Sequence, residues 1–286
     1  MTNGPTCPIG KLEKLLLATD RSEYSEGAVR EAINFAKTCS SRLSVLSVLE
    51  TNPEYETIGS KFFEQEEKEA LQNLESVKAR AAKEGVNCDT VLLEGGGPAV
   101  SIVDFAAEKK VDMIVVGRRG RKGLAKLLIG EVASKVIGHA PCKVLVVPRA
   151  AVIGYKHILV ATDGSAHGNA AVNESIAIAK RTGSTLIALS AMRDESEREE
   201  ATKHVRTAVE LAQKEGVPAE ALTPLGRSFN TIVETAGGRG VDLIVMGNYG
   251  KTGVKKLLMG SATEKVIGGA GCAVLVVKAP SSTAGG

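Results

Sequence analysis

Apolar residues in this chain gather into short unbroken runs, set apart by longer stretches with a helical repeat. Leu15-Leu16-Leu17-Ala18, Met113-Ile114-Val115-Val116 and Val144-Leu145-Val146-Val147 are three such runs. They return as Ile158-Leu159-Val160-Ala161, Leu243-Ile244-Val245-Met246 and Val274-Leu275-Val276-Val277. Apolar residues at consecutive positions suit a strand covered on both faces, as in parallel sheets. The pattern predicts strands over residues 14–20, 42–49, 90–93, 113–117 and 143–147, and again over 157–163, 184–191, 221–225, 243–247 and 273–277. Pro224 marks 221–225 as an edge or irregular strand, because proline donates no ladder hydrogen bond.

Helical spacing fills the intervals. Val29, Ile33 and Ala36, and likewise Val172, Ile176 and Ala179, step by four and then three residues and share one helix face. Ser22 and Ser165 are placed to cap these helices. Charged helices follow near 64–84 and 197–215, with Gly85 and Gly216 where a left-handed residue would end them. Further helices are expected over 100–109 and 230–237, and from about 126 to 137 and 256 to 267.

The two sets are copies. Leu17-Ala18-Thr19-Asp20-Arg21-Ser22 returns as Val160-Ala161-Thr162-Asp163-Gly164-Ser165 at an offset of 143, while the fourth and fifth strands return at an offset of 130. The second copy is therefore 13 residues shorter, mostly opposite 51–63, and lengths change most easily in loops. Five strands alternating with four helices predict an α/β fold: two tandem open five-stranded parallel sheets, Rossmann-like, with helices on both faces. The domains divide as 1–150 and 151–286. Such sheets bind ligands at the carboxyl ends of their strands, at the topological switch point. That directs attention to Asp20 and Asp163 and to the loops after Gly117 and Gly247.

Composition narrows the function. Of 286 residues, 43% are apolar and 24% charged, which excludes disorder and collagen-like structure. Aromatics are 3% with no Trp, so a stacking surface for single-stranded nucleic acid is not expected. The first copy carries 21 basic and 20 acidic residues and the second 15 and 13, so neither is a polycation made for nucleic acid or an anionic membrane. No apolar run approaches the roughly 20 residues of a membrane helix. The N-terminus has no signal-peptide character, and 281–286 is expected to be disordered. The cysteines Cys7, Cys39, Cys88, Cys142 and Cys272 are odd in number and widely spaced, without a C-x-x-C. Reduced thiols in the cytoplasm are expected, with Cys142 and Cys272 as small buried apolar residues. His139, His157, His167 and His204 show no metal-ligand spacing.

The candidate chemistry lies in two loops. Gly247-Asn248-Tyr249-Gly250 is followed after nine residues by Gly260-Ser261, and Gly117-Arg118-Arg119-Gly120 after nine residues by Gly130-Glu131. The first two glycines would let backbone turn closely under a phosphate chain. The third opens a helix whose N-terminal amides attract anions. Gly250-Lys251-Thr252 imitates a Walker A ending, but residue 245 is Val where that loop needs glycine. Arg118, Arg119, Arg121 and Lys122, like Lys251, Lys255 and Lys256, read as solvated basic loop residues.

With Ala-Thr-Asp-Gly-Ser on the first strand and Cys-x-Val-Leu-Val-Val on the last, the chain resembles the universal stress protein family in its tandem form, over 12–148 and 155–280. The resemblance implies ATP, with Mg²⁺, as ligand. In the second copy it implies adenine and ribose contacts at Asp163, Ala191 and Met246 beside Ala161, and phosphate contacts around Gly247, Gly250, Gly260, Ser261 and Ala262. The first-copy counterparts are Asp20, Val48, Val116, Gly117, Gly120, Gly130 and Glu131. Here Glu131 replaces the serine and its charge repels phosphate, so ATP is expected mainly in the second copy. Fifth strands pair in the family, which implies an internal pseudo-dimer and leaves a homodimer open. The implied role is a nucleotide-responsive stress or signalling module. No dedicated catalytic base is recognisable, so a slow ATPase and a nucleotide-free interaction scaffold are the alternatives.

Overall fold

The computed structural model describes residues 6–51, 60–119, 129–251 and 259–279. Gly120, Arg121, Lys122, Lys255, Lys256 and the tail 281–286 lie outside the described residues. The chain forms two compact units, Met1–Cys7 with Lys11–Val152, and Pro8–Gly10 with Ile153–Gly286.

The first unit runs β1 (Lys14–Ala18), α1 (Glu26–Cys39), β2 (Arg42–Glu50), α2 (Ser60–Lys83), β3 (Cys88–Gly95), α3 (Pro98–Lys109), β4 (Met113–Gly117), α4 (Glu131–His139) and β5 (Lys143–Val147). The second runs β6 (His157–Ala161), α5 (Ala166–Thr182), β7 (Thr185–Leu189), α6 (Arg198–Lys214), β8 (Ala219–Leu222), α7 (Ser228–Gly238), β9 (Leu243–Gly247), α8 (Ser261–Gly269) and β10 (Ala273–Val277). Strand order is β3-β2-β1-β4-β5 in one and β8-β7-β6-β9-β10 in the other, all parallel. Both are doubly wound, with helices on both faces. The order reverses between β1 and β4, and between β6 and β9. At those reversals the loops leave toward opposite faces and open a crevice.

The cores are what the apolar runs foretold. Leu16, Leu17, Ile114 and Val115, and Ile158, Leu159, Ile244 and Val245, are fully buried. The helix positions Val29, Ile33, Ala36, Val172, Ile176 and Ala179 are buried too. Gly85 and Gly216 have φ of 72° and 74°, the left-handed conformation that ends their helices at little steric cost. The repeated Val-Asp before β4 and β9 proves to anchor strands. Asp112 accepts the Glu13 and Lys14 amides at 2.9 Å, and Asp242 accepts those of Tyr155 and Lys156 at 3.0 Å.

Several local expectations are corrected. β1 and β6 end at Ala18 and Ala161, so Asp20 and Asp163 stand in the loops beyond. The Thr19 and Thr162 amides still bond to Leu46 and Leu189, and then Arg21 and Gly164 turn the chain with φ of 69° and 72°. Ser165 caps α5, accepting the Gly168 amide at 3.1 Å. Ser22 does not cap α1: its hydroxyl donates to Asp20 Oδ1 at 2.7 Å, and a short 3-10 turn, Glu23–Ser25, intervenes. The last helices begin at Glu131 and Ser261, with Gly130 and Gly260 as their caps, while the expected starts near 126 and 256 lie outside the described residues. β8 is an edge strand that stops before Pro224. The expectation of reduced thiols fails for one pair, since Cys7 and Cys39 form a disulfide across 4.5 Å between Cα atoms. The segment before β1 folds back onto the end of α1, a meeting that residue spacing does not reveal.

Candidate functional site

The crevice of the second unit is built from the ends of β6 and β9. Ala161 lies in register between Leu189 of β7 and Met246 of β9. Two residues past Ala161, Asp163 turns its carboxylate toward the glycine loop. Oδ1 accepts the Ser165 amide at 3.0 Å and Oδ2 accepts the Lys251 amide at 2.7 Å. Burial pushes this carboxyl up, but the hydrogen bonds from Ser165 and the Lys251 amide outweigh it and hold the group below its ordinary value. Asp163 is therefore a fixed negative charge that organises the loop.

Among the described glycines, Gly117, Gly247 and Gly250 have a packing reason. A Cβ on Gly250 would overlap Asp163 Oδ2. A Cβ on Gly247 would stand 2.7 Å from the Cβ of His167 and 2.9 Å from its carbonyl carbon. The same approach recurs in the first unit, where a Cβ on Gly117 would stand 2.8 Å from the Tyr24 carbonyl oxygen. These first glycines admit the segment that enters α5 or α1, a packing role that stands beside the ligand role expected from the sequence pattern. Gly260 closes the loop: its amide donates to the Asn248 carbonyl at 2.8 Å, as Gly130 does to Arg118 at 2.9 Å. Thr263 Oγ1, on the first turn of α8, donates to the Gly247 carbonyl at 3.0 Å and locks helix to strand.

The predicted residues divide accordingly. Asp163, Gly247, Gly250 and Gly260 converge through the Gly247–Lys251 loop. Met246 and Val116 are buried at the strand ends. Ser261 and Ala262 open α8, with Ser261 exposed. Ala191 lies two residues beyond β7, and Val48 lies within β2; both are half-buried. In the first unit Asp20 accepts the Ser22 amide and hydroxyl. Glu131 opens α4 with its side chain 76% exposed and paired with Lys135 at 2.6 Å, and that partner holds its carboxyl below the ordinary value. The charge thus stands at the helix entrance where the second unit has a hydroxyl. Arg118 and Arg119 are half-buried rather than solvated, and burial lowers the Arg118 guanidinium.

Five side chains around the loop carry roles that the sequence pattern does not mark. The rings of His167 and Tyr249 lie 4.2 Å apart, and His167 Nδ1 accepts the Ala279 amide at 2.8 Å. His204 reaches in from α6: its ring rests against Gly164, where a Cβ would overlap it, and its Nε2 lies 3.3 Å from Lys251 Nζ. Glu200, one helical turn earlier, contacts the same ammonium, so Lys251 is not the freely solvated lysine expected. Asn248 is buried with its side-chain oxygen unpartnered. Only the i, i+4 spacing of Glu200 and His204 was visible in the sequence; their meeting with Lys251 was not.

Among the described residues no helix is long and apolar enough to cross a membrane, and no group of three acidic, His or Cys side chains could hold a metal ion.

Two doubly wound units in tandem, each with an acidic residue and a glycine loop at its switch point, define a tandem Rossmann-like α/β protein. The chain belongs to the universal stress protein family, whose model matches residues 11–148 and again 154–278. It is 39% identical to universal stress protein MJ0531 of Methanocaldococcus jannaschii over 145 residues, 48% of this chain and 82% of that one. A universal stress protein of Thermus aquaticus is 38% identical over 134 residues, 46% of this chain and 96% of its own. The crystal structure of a universal stress protein from Archaeoglobus fulgidus shares the fold with a TM-score of 0.78 at 22% identity, covering 94% of this chain and 97% of that one.

Proposed function

We propose that this universal stress protein is a nucleotide-responsive stress or signalling module that binds ATP mainly in its second unit. The observation that carries the reading is the difference between two otherwise matching helix entrances. In the second unit Gly260 and the hydroxyl of Ser261 open α8 beside the loop held by Asp163. In the first unit Glu131 places a carboxylate at that position. Free amides and a hydroxyl at a helix N-terminus favour a phosphate, and a carboxylate there opposes it. The unpartnered oxygen of buried Asn248 is an acceptor beside the loop, suited to a hydroxyl or amino group of a ligand and not to its phosphates. Asp163, Ala191 and Met246, with Ala161, would face adenine and ribose, while the Gly247, Gly250, Gly260, Ser261 and Ala262 positions would face phosphate. Mg²⁺ would arrive on the phosphates, its usual mode of binding.

Calorimetric titration of Mg-ATP into the full chain tests this. One strong equivalent, abolished by Ser261→Glu and joined by a second in Glu131→Ser, is the expected result. Strong binding that survives Ser261→Glu and vanishes on changes in the first unit would overturn it. ATP turnover abolished by Ser261→Glu would instead favour the slow ATPase. Cytoplasmic residence and pairing of the two units through their apolar fifth strands belong to the same proposal. Thiol trapping in intact cells addresses the first, since Cys7 and Cys39 are joined. Solution scattering addresses the second.

A further inference from the structure

Resting on that reading, we propose that Lys251 reads the length of the ligand's phosphate chain. Its ammonium sits on Glu200 and His204, and transfers to the distal phosphates of a nucleoside polyphosphate when one binds.

The backbone of Lys251 is fixed, because its amide donates to Asp163 Oδ2 at 2.7 Å directly after Gly250. Its side chain is 44% exposed, and its ammonium contacts Glu200 Oε1 and lies 3.3 Å from His204 Nε2. An ammonium has only hydrogens to give, so His204 Nε2 accepts and the ring is neutral. Burial and the lysine charge both lower the basicity of His204. Glu200 is itself held ionised by Lys251, yet its side chain is 62% exposed. An exposed ion pair of this kind contributes little, whereas a phosphate carries more charge and more acceptor oxygens. Glu200 is therefore a partner that a phosphate can displace, and the fixed amide keeps the lysine stem at the loop while its head changes partner.

The fit between helix and loop is specific to this unit. The helix-ending glycines Gly85 and Gly216 stand 131 residues apart, and that offset aligns Glu69 with Glu200 and Asn73 with His204. In the first unit, however, Arg21 stands where the second has Gly164. Its guanidinium, 15% exposed, pairs with Glu66 at 2.6 Å and approaches Glu69 at 3.8 Å. There the helix carboxylates are committed to a half-buried guanidinium. In the second unit Gly164 makes room for His204, and the carboxylate is left to an exposed ammonium.

Calorimetry of the full chain with ATP and with AMP tests the assignment, using Lys251→Met and Glu200→Gln. Lys251→Met is expected to weaken ATP about tenfold and to leave AMP within about twofold. Glu200→Gln releases the ammonium and is expected to tighten ATP about threefold without affecting AMP. Equal weakening of both nucleotides in Lys251→Met, or no change in either, overturns the assignment while leaving the nucleotide site standing. Failure of the unaltered protein to bind either nucleotide overturns the site and the assignment together. Both altered side chains are exposed and the Lys251 amide bond is backbone, so thermal melts of the variants should match the parent.

Discussion

Replacing Gly247 by alanine separates packing from ligand binding at the first glycine of the loop. The added Cβ would lie 2.7 Å from His167 Cβ, 2.9 Å from its carbonyl carbon and 3.1 Å from its carbonyl oxygen. Two of these atoms are backbone in the first turn of α5, which the Ser165 cap and the Asn169 amide to Ser165 carbonyl bond at 2.8 Å hold in place. No rotamer of His167 relieves them, so helix and strand must part. Overpacking of this kind costs about 1–3 kcal/mol. With a urea dependence of about 1–3 kcal/mol per molar, the midpoint of the second unit should fall by about 1 M. Gly237→Ala in α7 is the control: nothing lies within 4 Å of its would-be Cβ, and removing a helical glycine should stabilise by about 0.5–1 kcal/mol. A chain of two units need not melt in one step, so hydrogen exchange of β6 and β9 amides in urea is the suitable assay. An unchanged midpoint would refute the packing account, and loss of nucleotide binding alongside it would leave Gly247 to the ligand alone.

Three further outcomes are expected. The Asp163 carboxyl is held below its ordinary value in the folded chain, so its contribution is present at neutral pH and is lost as pH falls through that lowered value. The stability gap between the parent and Asp163→Asn should therefore narrow in urea melts taken between about pH 5 and pH 2. Cys7 and Cys39 close a loop of 32 residues, and removing both thiols should destabilise the first unit by up to about 3–4 kcal/mol in the chain-entropy limit, read from exchange of β1 and β2 amides. Burial raises the Cys272 thiol to about 11, so alkylation at neutral pH should leave Cys272 unmodified until the chain is denatured, as peptide mass analysis would show.

The repeat, the fold class and the strands that matter most are legible in the local pattern of residues. The bounds of β4, β5, β9 and β10 agree with the apolar runs, since a strand buried on both faces carries its burial in consecutive residues. The helix faces followed for the same reason, because 3.6-residue periodicity is local. Tertiary structure decided everything that joins distant residues. Ser22 and Ser165 look alike in sequence, yet only Ser165 caps a helix, because Ser22 is drawn to Asp20. The Cys7–Cys39 bond depends on where the segment before β1 folds back. Asp163 meets Lys251 across 88 positions, and Lys251 meets Glu200 across 51. Sheet order places β6 beside β9 and so brings those loops together, and α6 then drops Glu200 and His204 beside them. Local pattern carries propensity and burial, but the partner of a charge is set by the path of the whole chain.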